Sequence, residues 1–151
     1  MLKLVTFNIR CDYDQDGANS FRFRKPVILK KLAEERPDVI CFQEVLPHVA
    51  AWLKENLTDY TVIGCGRSET LEDEQMTIAF RTDRLNLINM ETFWLSPTPY
   101  VRADMKNSPS ALGCVQKSCW KIFRKRKYFV YVIFIWIISV YWREHWGCPR
   151  S

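Results

Sequence analysis

Val39-Ile40-Cys41-Phe42 is an unbroken apolar run, bounded by Asp38 on one side and Gln43-Glu44 on the other. With no polar residue alternating through it, it reads as a strand buried on both faces. Such a strand needs a layer packed over each side of its sheet, and this requirement points to a layered α/β domain.

The flanking residues supply those layers. Leu2 to Phe7 is short, apolar and partly β-branched, and predicts a first strand ending at Asn8. Residues 11–20 are polar, with Asp16-Gly17 as a turn signal. Pro26 suits a first helical turn, Ile28, Leu29, Leu32 and Ala33 follow at helical spacing, and Pro37 stops that helix. Pro47 opens a second helix, in which Leu46, Val49, Ala50, Leu53 and Leu57 make one apolar stripe. Tyr60 to Ile63 predicts a third strand and the polar stretch from Gly64 to Glu74 a loop. Met76 to Phe80 and Leu85 to Leu95 predict two further strands around a turn at Thr82-Asp83.

Composition changes sharply near Pro99. Residues 1–99 carry 12 Lys/Arg against 15 Asp/Glu, whereas residues 100–151 carry 10 against 2. The net charge of +5 therefore belongs to the second segment, which also holds four of the six tryptophans. A basic protein ordinarily suggests a nucleic-acid or membrane partner, but here that inference extends only to the basic, aromatic tail. The 48% apolar content excludes a disordered chain. The six cysteines include no Cys-x-x-Cys pair, which argues against structural zinc. Met1-Leu-Lys-Leu-Val leads straight into a strand rather than a secretory signal, so a cytoplasmic protein with free thiols is expected.

Two strands end in a polar residue, at Asn8 and at Glu44. In open α/β sheets, ligands gather at the carboxyl ends of the strands. One Glu plus water is a usual way to hold magnesium, which takes its other ligands from phosphate. An Asn can donate to a phosphate oxygen. On spacing alone, however, a Glu closing a strand is more often a solvated turn residue, and an Asn there a turn former.

A resemblance changes those odds. Val5-Thr-Phe-Asn8-Ile-Arg10, Asp16-Gly-Ala-Asn-Ser-Phe21 with Arg24-Lys-Pro26, and Arg36-Pro-Asp38-Val-Ile-Cys-Phe-Gln43-Glu44 resemble successive motifs of the endonuclease/exonuclease/phosphatase family. Gly64-Cys-Gly66-Arg67, Glu74 and Ile78-Ala-Phe80 resemble the segment that follows. The resemblance implies a DNase I-like α/β sandwich, represented by its amino-terminal half in residues 1–99. It also implies a hydrolase of phosphate esters, in nucleic acid or small molecules, that uses Mg2+ or Mn2+. By carry-over Glu44 binds the metal and Asn8 positions the phosphate, with Arg67 and Glu74 as further substrate contacts.

The family also needs an Asp-Asn pair in a Gly-Asp-Phe-Asn motif and a basic His in a Ser-Asp-His motif, and this sequence contains neither. Its two histidines are His48, read as a surface residue of the second helix, and His145, in a Trp-rich end that matches nothing in the family. The expectation is a truncated phosphoesterase without turnover of its own, with no obligate protein partner.

The tail admits three readings. Tyr128 to Trp142 is apolar or aromatic except for Ser139, and Lys121 to Lys127 supplies a basic flank, as in a membrane anchor. A spanning helix needs about 20 apolar residues, and this run of 15 suits a strand equally well. The tail is also the sequence expected of a shifted reading frame. Codons exist for Val132 to Ile138 that read Asn-Ile-His-Leu-Asp-His two bases over, close to the family's next motif. Codons from Val101 onward permit another stretch resembling the family in that same frame. Residues 100–151 are therefore read as a frameshift product. The alternatives are a membrane-anchored, degenerate phosphate-binding module and one half of a split enzyme.

Overall fold

The computed structural model describes residues 1–66, 68, 70–94, 100, 114–122 and 127–134. Strand β2 (Val39–Val45) lies inside a four-stranded sheet ordered β1-β2-β4-β3, with β1 (Leu4–Asn8), β3 (Tyr60–Gly66) and β4 (Gln75–Arg81). β1 runs parallel to β2, and β4 is antiparallel to both β2 and β3. Helix α1 (Phe21–Glu35) connects β1 to β2, and helix α2 (Pro47–Asn56) connects β2 to β3.

The apolar run of β2 is buried on both faces, as its composition predicts. Ile40 and Phe42 join Ile28 and Leu32 of α1 and Val49 and Leu53 of α2 in one core. Val39 and Cys41 join Met76, Ile78, Phe80, Leu85 and Trp94 in another. Each fully buried aliphatic or aromatic side chain in these layers contributes about 1.5–3 kcal/mol relative to exposure.

Strand β5 (Leu85–Trp94) follows β4 after the predicted turn but does not pair with it. It opens a second sheet, ordered β5-β6-β7, with β6 (Cys114–Ile122) and β7 (Lys127–Phe134). Leu85, Leu87 and Trp94 of β5 cover the face of the first sheet that the helices leave open. The architecture is thus helices, sheet and sheet. The backbone of the segment read as a tail extends the second sheet through antiparallel β5–β6 and β6–β7 ladders. Residues 135–142 of its apolar run lie outside the described residues, as do His145 and Arg67. Among the described residues no helix is long and apolar enough to cross a membrane.

Two local expectations are corrected. Helix α1 begins at Phe21, so Pro26 falls in its second turn rather than its first. The earlier start is held by Asp12, whose Oδ1 accepts the Phe21 N–H at 3.3 Å, and Pro26 is tolerated on the exposed side of the helix. Strand β3 continues through Gly64 to Gly66, the first residues of the polar stretch expected to be a loop. A Cβ on Gly64 would lie 2.4 Å from the Met76 carbonyl oxygen, so the glycine permits close strand pairing instead of breaking it.

Candidate functional site

The parallel pairing of β1 with β2 sets their carboxyl ends side by side, with Asn8 opposite Gln43. Beyond that pair, β2 carries a bulge. Phe42 pairs with Thr77 and Val45 with Gln75, so β2 has one more residue than β4 across the interval. Glu44 sits in the bulge with φ 59°, in the left-handed region that few non-glycine residues occupy. The extra residue keeps Phe42 and Val45 both in the helix-facing core. It also releases Glu44, which is only partly buried, from the alternation that would otherwise bury it. A strained, non-glycine bulge at a strand end is the kind of feature that persists where function requires it.

The side chains at this corner form a continuous chain of hydrogen bonds. Cys11 N–H donates to Glu44 Oε2 at 3.1 Å. Asn8 Nδ2 donates to Glu44 Oε1 at 2.8 Å, and Arg10 N–H donates to Asn8 Oδ1 at 2.8 Å. Arg10 also has a left-handed φ, 65°. Its guanidinium grips both oxygens of Asp16 at 2.6 Å and holds the Asp16 carboxyl below the usual carboxylate range.

Glu74, expected at the end of a polar loop and implied by the resemblance as a substrate contact, directly precedes β4 and is 8% exposed. Its charge reaches Cys11, whose thiol is pushed up to about 12, first by burial and then by the negative charges of Glu74 and Glu44. Glu74 immediately precedes Gln75, which pairs with Val45, so Asn8, Glu44 and Glu74 gather at one end of the sheet.

Two contributors were not legible in the sequence. His48, read as a surface residue, is hydrogen-bonded through Nε2 to Asp12 Oδ2 at 2.9 Å, while the other Asp12 oxygen caps α1. The partners are 36 residues apart, and no local spacing signals them. Arg24 donates from Nη1 to the Ile9 carbonyl at 2.5 Å and from Nε to the Asn19 carbonyl at 2.8 Å. At the opposite end of β2, the buried Asp38 carboxylate is taken up by Arg84 at 2.5 Å and by the Lys3 N–H at 2.8 Å, so it serves the fold.

Among the described residues no group of three or more His, Cys, Asp or Glu is arranged to hold a metal ion. The corner does fit a cation held by one carboxylate. Each oxygen of Glu44 accepts one hydrogen bond and retains a further lone pair. Magnesium is commonly bound by one or two carboxylates, its remaining positions filled by water and substrate phosphate.

Solved structures of the endonuclease/exonuclease/phosphatase family share this fold. A family member from Bacteroides vulgatus is 27% identical with a TM-score of 0.80, over 87% of this chain and 51% of its own. A mannosyl-6-phosphatase from Bacteroides thetaiotaomicron is 26% identical with a TM-score of 0.79, over 87% of this chain and 50% of its own. The catalytic domain of human nocturnin, solved with bound sulfate, matches at 16% identity and a TM-score of 0.67, over 87% of this chain and 48% of its own, a likeness of fold alone. The chain spans about half the length of the structures it matches. A match over 87% of 151 residues necessarily includes residues beyond 99. No family model matches the chain, and no curated protein matches it. The architecture is the DNase I-like α/β fold in part, and the chain resembles phosphoesterases of that family.

Proposed function

We propose that this chain carries the amino-terminal part of a metal-dependent phosphoesterase site, with Glu44 as the magnesium or manganese ligand and Asn8 as its orienting, phosphate-binding neighbour. The observation that carries the reading is the Asn8–Glu44 hydrogen bond at the carboxyl ends of two adjacent parallel strands, with Glu44 on a left-handed bulge. A carboxylate displayed in this way fits a hard cation and a phosphate ester. A bound divalent ion would supply charge stabilisation to a phosphoryl group.

The chain's own residues do the rest. Asn8 fixes one carboxylate oxygen and the Cys11 N–H the other, so Glu44 presents its free lone pairs in a single orientation. Glu74 adds negative charge at the same end of the sheet.

Turnover by the isolated chain is expected to be negligible, because the sequence contains neither the Gly-Asp-Phe-Asn nor the Ser-Asp-His motif. Removing the proton from an attacking water needs a positioned base, which those motifs supply in the family. In a second reading, residues outside this chain, which spans about half the length of the structures it matches, complete the site.

Titration of the full chain with Mn2+, followed by electron paramagnetic resonance, tests the metal assignment. Wild type should bind Mn2+ and compete with Mg2+, whereas Glu44→Gln, verified as folded by circular dichroism, should not bind. Equal binding by both proteins would sink the assignment. A phosphodiester assay with a supplied second-half fragment tests the split reading, which fails if no activity appears on mixing.

A further inference from the structure

We infer that Arg24 is the positioning residue of the Asn8–Glu44 corner; the inference rests on reading that corner as a metal- and phosphate-binding site. Arg24 lies in the first turn of α1 and reaches back to the segment leaving β1. Its Nη1 donates to the Ile9 carbonyl at 2.5 Å and its Nε to the Asn19 carbonyl at 2.8 Å, closing the β1–α1 connection on itself. The guanidinium stands 6.0 Å from the ring centroid of Phe21, which is itself buried.

Ile9 is the residue between Asn8 and Arg10. Its N–H donates to the Gln43 carbonyl at 3.1 Å and its side chain is fully buried. With the carbonyl held by Arg24, the N–H and C=O of Ile9 are both fixed. The Ile9 carbonyl and the Arg10 N–H belong to one planar peptide unit, so holding the carbonyl also holds the N–H that donates to Asn8 Oδ1; the chain then leaves that plane at Arg10 with φ 65°. Asn8 in turn directs Nδ2 to Glu44. If the Ile9 carbonyl is released, the left-handed turn loses its anchor, and Asn8 loses the contact that orients it. Arg24 also helps to lower the Asp16 carboxyl, the group that clamps the Arg10 guanidinium. A lysine cannot replace this fork, because a single nitrogen does not bridge two carbonyls in fixed geometry.

The test uses the full chain as wild type, Arg24→Lys, Arg24→Met and Ile28→Val, the last removing a methyl group from the helix-facing core. Two quantities are read for each. One is the 1H–15N position of the Asn8 side-chain amide, assigned with Asn8→Ala, and the other is Mn2+ affinity. Both Arg24 variants should move the Asn8 amide toward the free-amide position and weaken Mn2+ binding about tenfold or more, the usual range for an outer-shell partner. Ile28→Val should lower the unfolding midpoint and leave both readouts unchanged. Arg24→Lys with a wild-type amide position and affinity would overturn the inference. So would equal shifts from Ile28→Val at matched loss of stability. If Arg24→Met does not fold, Arg24→Lys carries the same two outcomes. If wild-type Mn2+ binding proves insensitive to Glu44→Gln, the metal reading fails, and the Asn8 amide alone decides the role of Arg24.

Discussion

Exchanging the charge between Asn8 and Glu44 probes the hydrogen-bond chain that defines the corner. Two backbone N–H groups, of Cys11 and Arg10, close its ends, and the Glu44 and Asn8 side chains lie between them. Donors at both ends demand one net acceptor in the middle, which the Glu44 carboxylate provides. Glu44→Gln replaces one acceptor oxygen with a donor. However the two amides are flipped, one donor then faces another. The Cys11 end is partly buried and the Asn8 end exposed, so the cost falls at about 1–2 kcal/mol, one lost bond to a charged acceptor at the lower end of its range. Asn8→Asp errs in the opposite sense, setting two carboxylates against each other where the present donor–acceptor distance is 2.8 Å. In the double variant the new aspartate accepts from the Arg10 N–H and from the new glutamine amide, while the glutamine oxygen accepts from the Cys11 N–H. All bonds are restored and net charge is unchanged. Urea unfolding at pH 7 should show both single variants destabilised and the double variant recovered, with a coupling energy of about 1–3 kcal/mol. Similar slopes across the set would confirm that midpoints report stability. Additive losses would refute the acceptor-counting argument. The double variant should not regain Mn2+ binding, because its carboxylate sits on the other strand.

Three further outcomes are expected. Gly64→Ala sets a Cβ 2.4 Å from the Met76 carbonyl oxygen, an overlap with the backbone of β4, and should cost about 2 kcal/mol or more in thermal or urea unfolding. Cys11 and Cys41 should resist thiol reagents at pH 8 until the protein unfolds, because burial raises both thiols from 9.0 to about 12. The native state keeps protons that the unfolded chain releases, so this stability is complete below pH 9 and is lost as pH rises toward about 12. Finally, gene sequencing across the codons for Leu95 to Ser110 should reveal a second frame running through Asn-Ile-His-Leu-Asp-His toward Gly-Asp-Phe-Asn and Ser-Asp-His; a second frame closed by stop codons would refute the frameshift origin of residues 100–151.

Much of the first layer was legible in the sequence. The apolar run of β2, the stripe of α2 and the stop of α1 at Pro37 follow from side-chain period and proline chemistry, which act within one turn or one strand. Asn8 and Glu44 were legible as polar residues closing apolar runs, with motifs around them that resemble a known family. The sequence could not show that β4 and β5 part into different sheets after a short turn, because a turn fixes chain reversal and not the partner of each strand. Nor could it show the bulge that frees Glu44, which depends on the register of β2 against β4. The brace from Arg24 to Ile9 spans 15 residues and the Asp12–His48 pair 36. Only the assembled layers bring such groups within 3 Å. Local pattern determines which segments become helix or strand. The alignment of donors and acceptors across segments is decided by packing, since hydrogen bonds form only between atoms that the folded layers hold in reach.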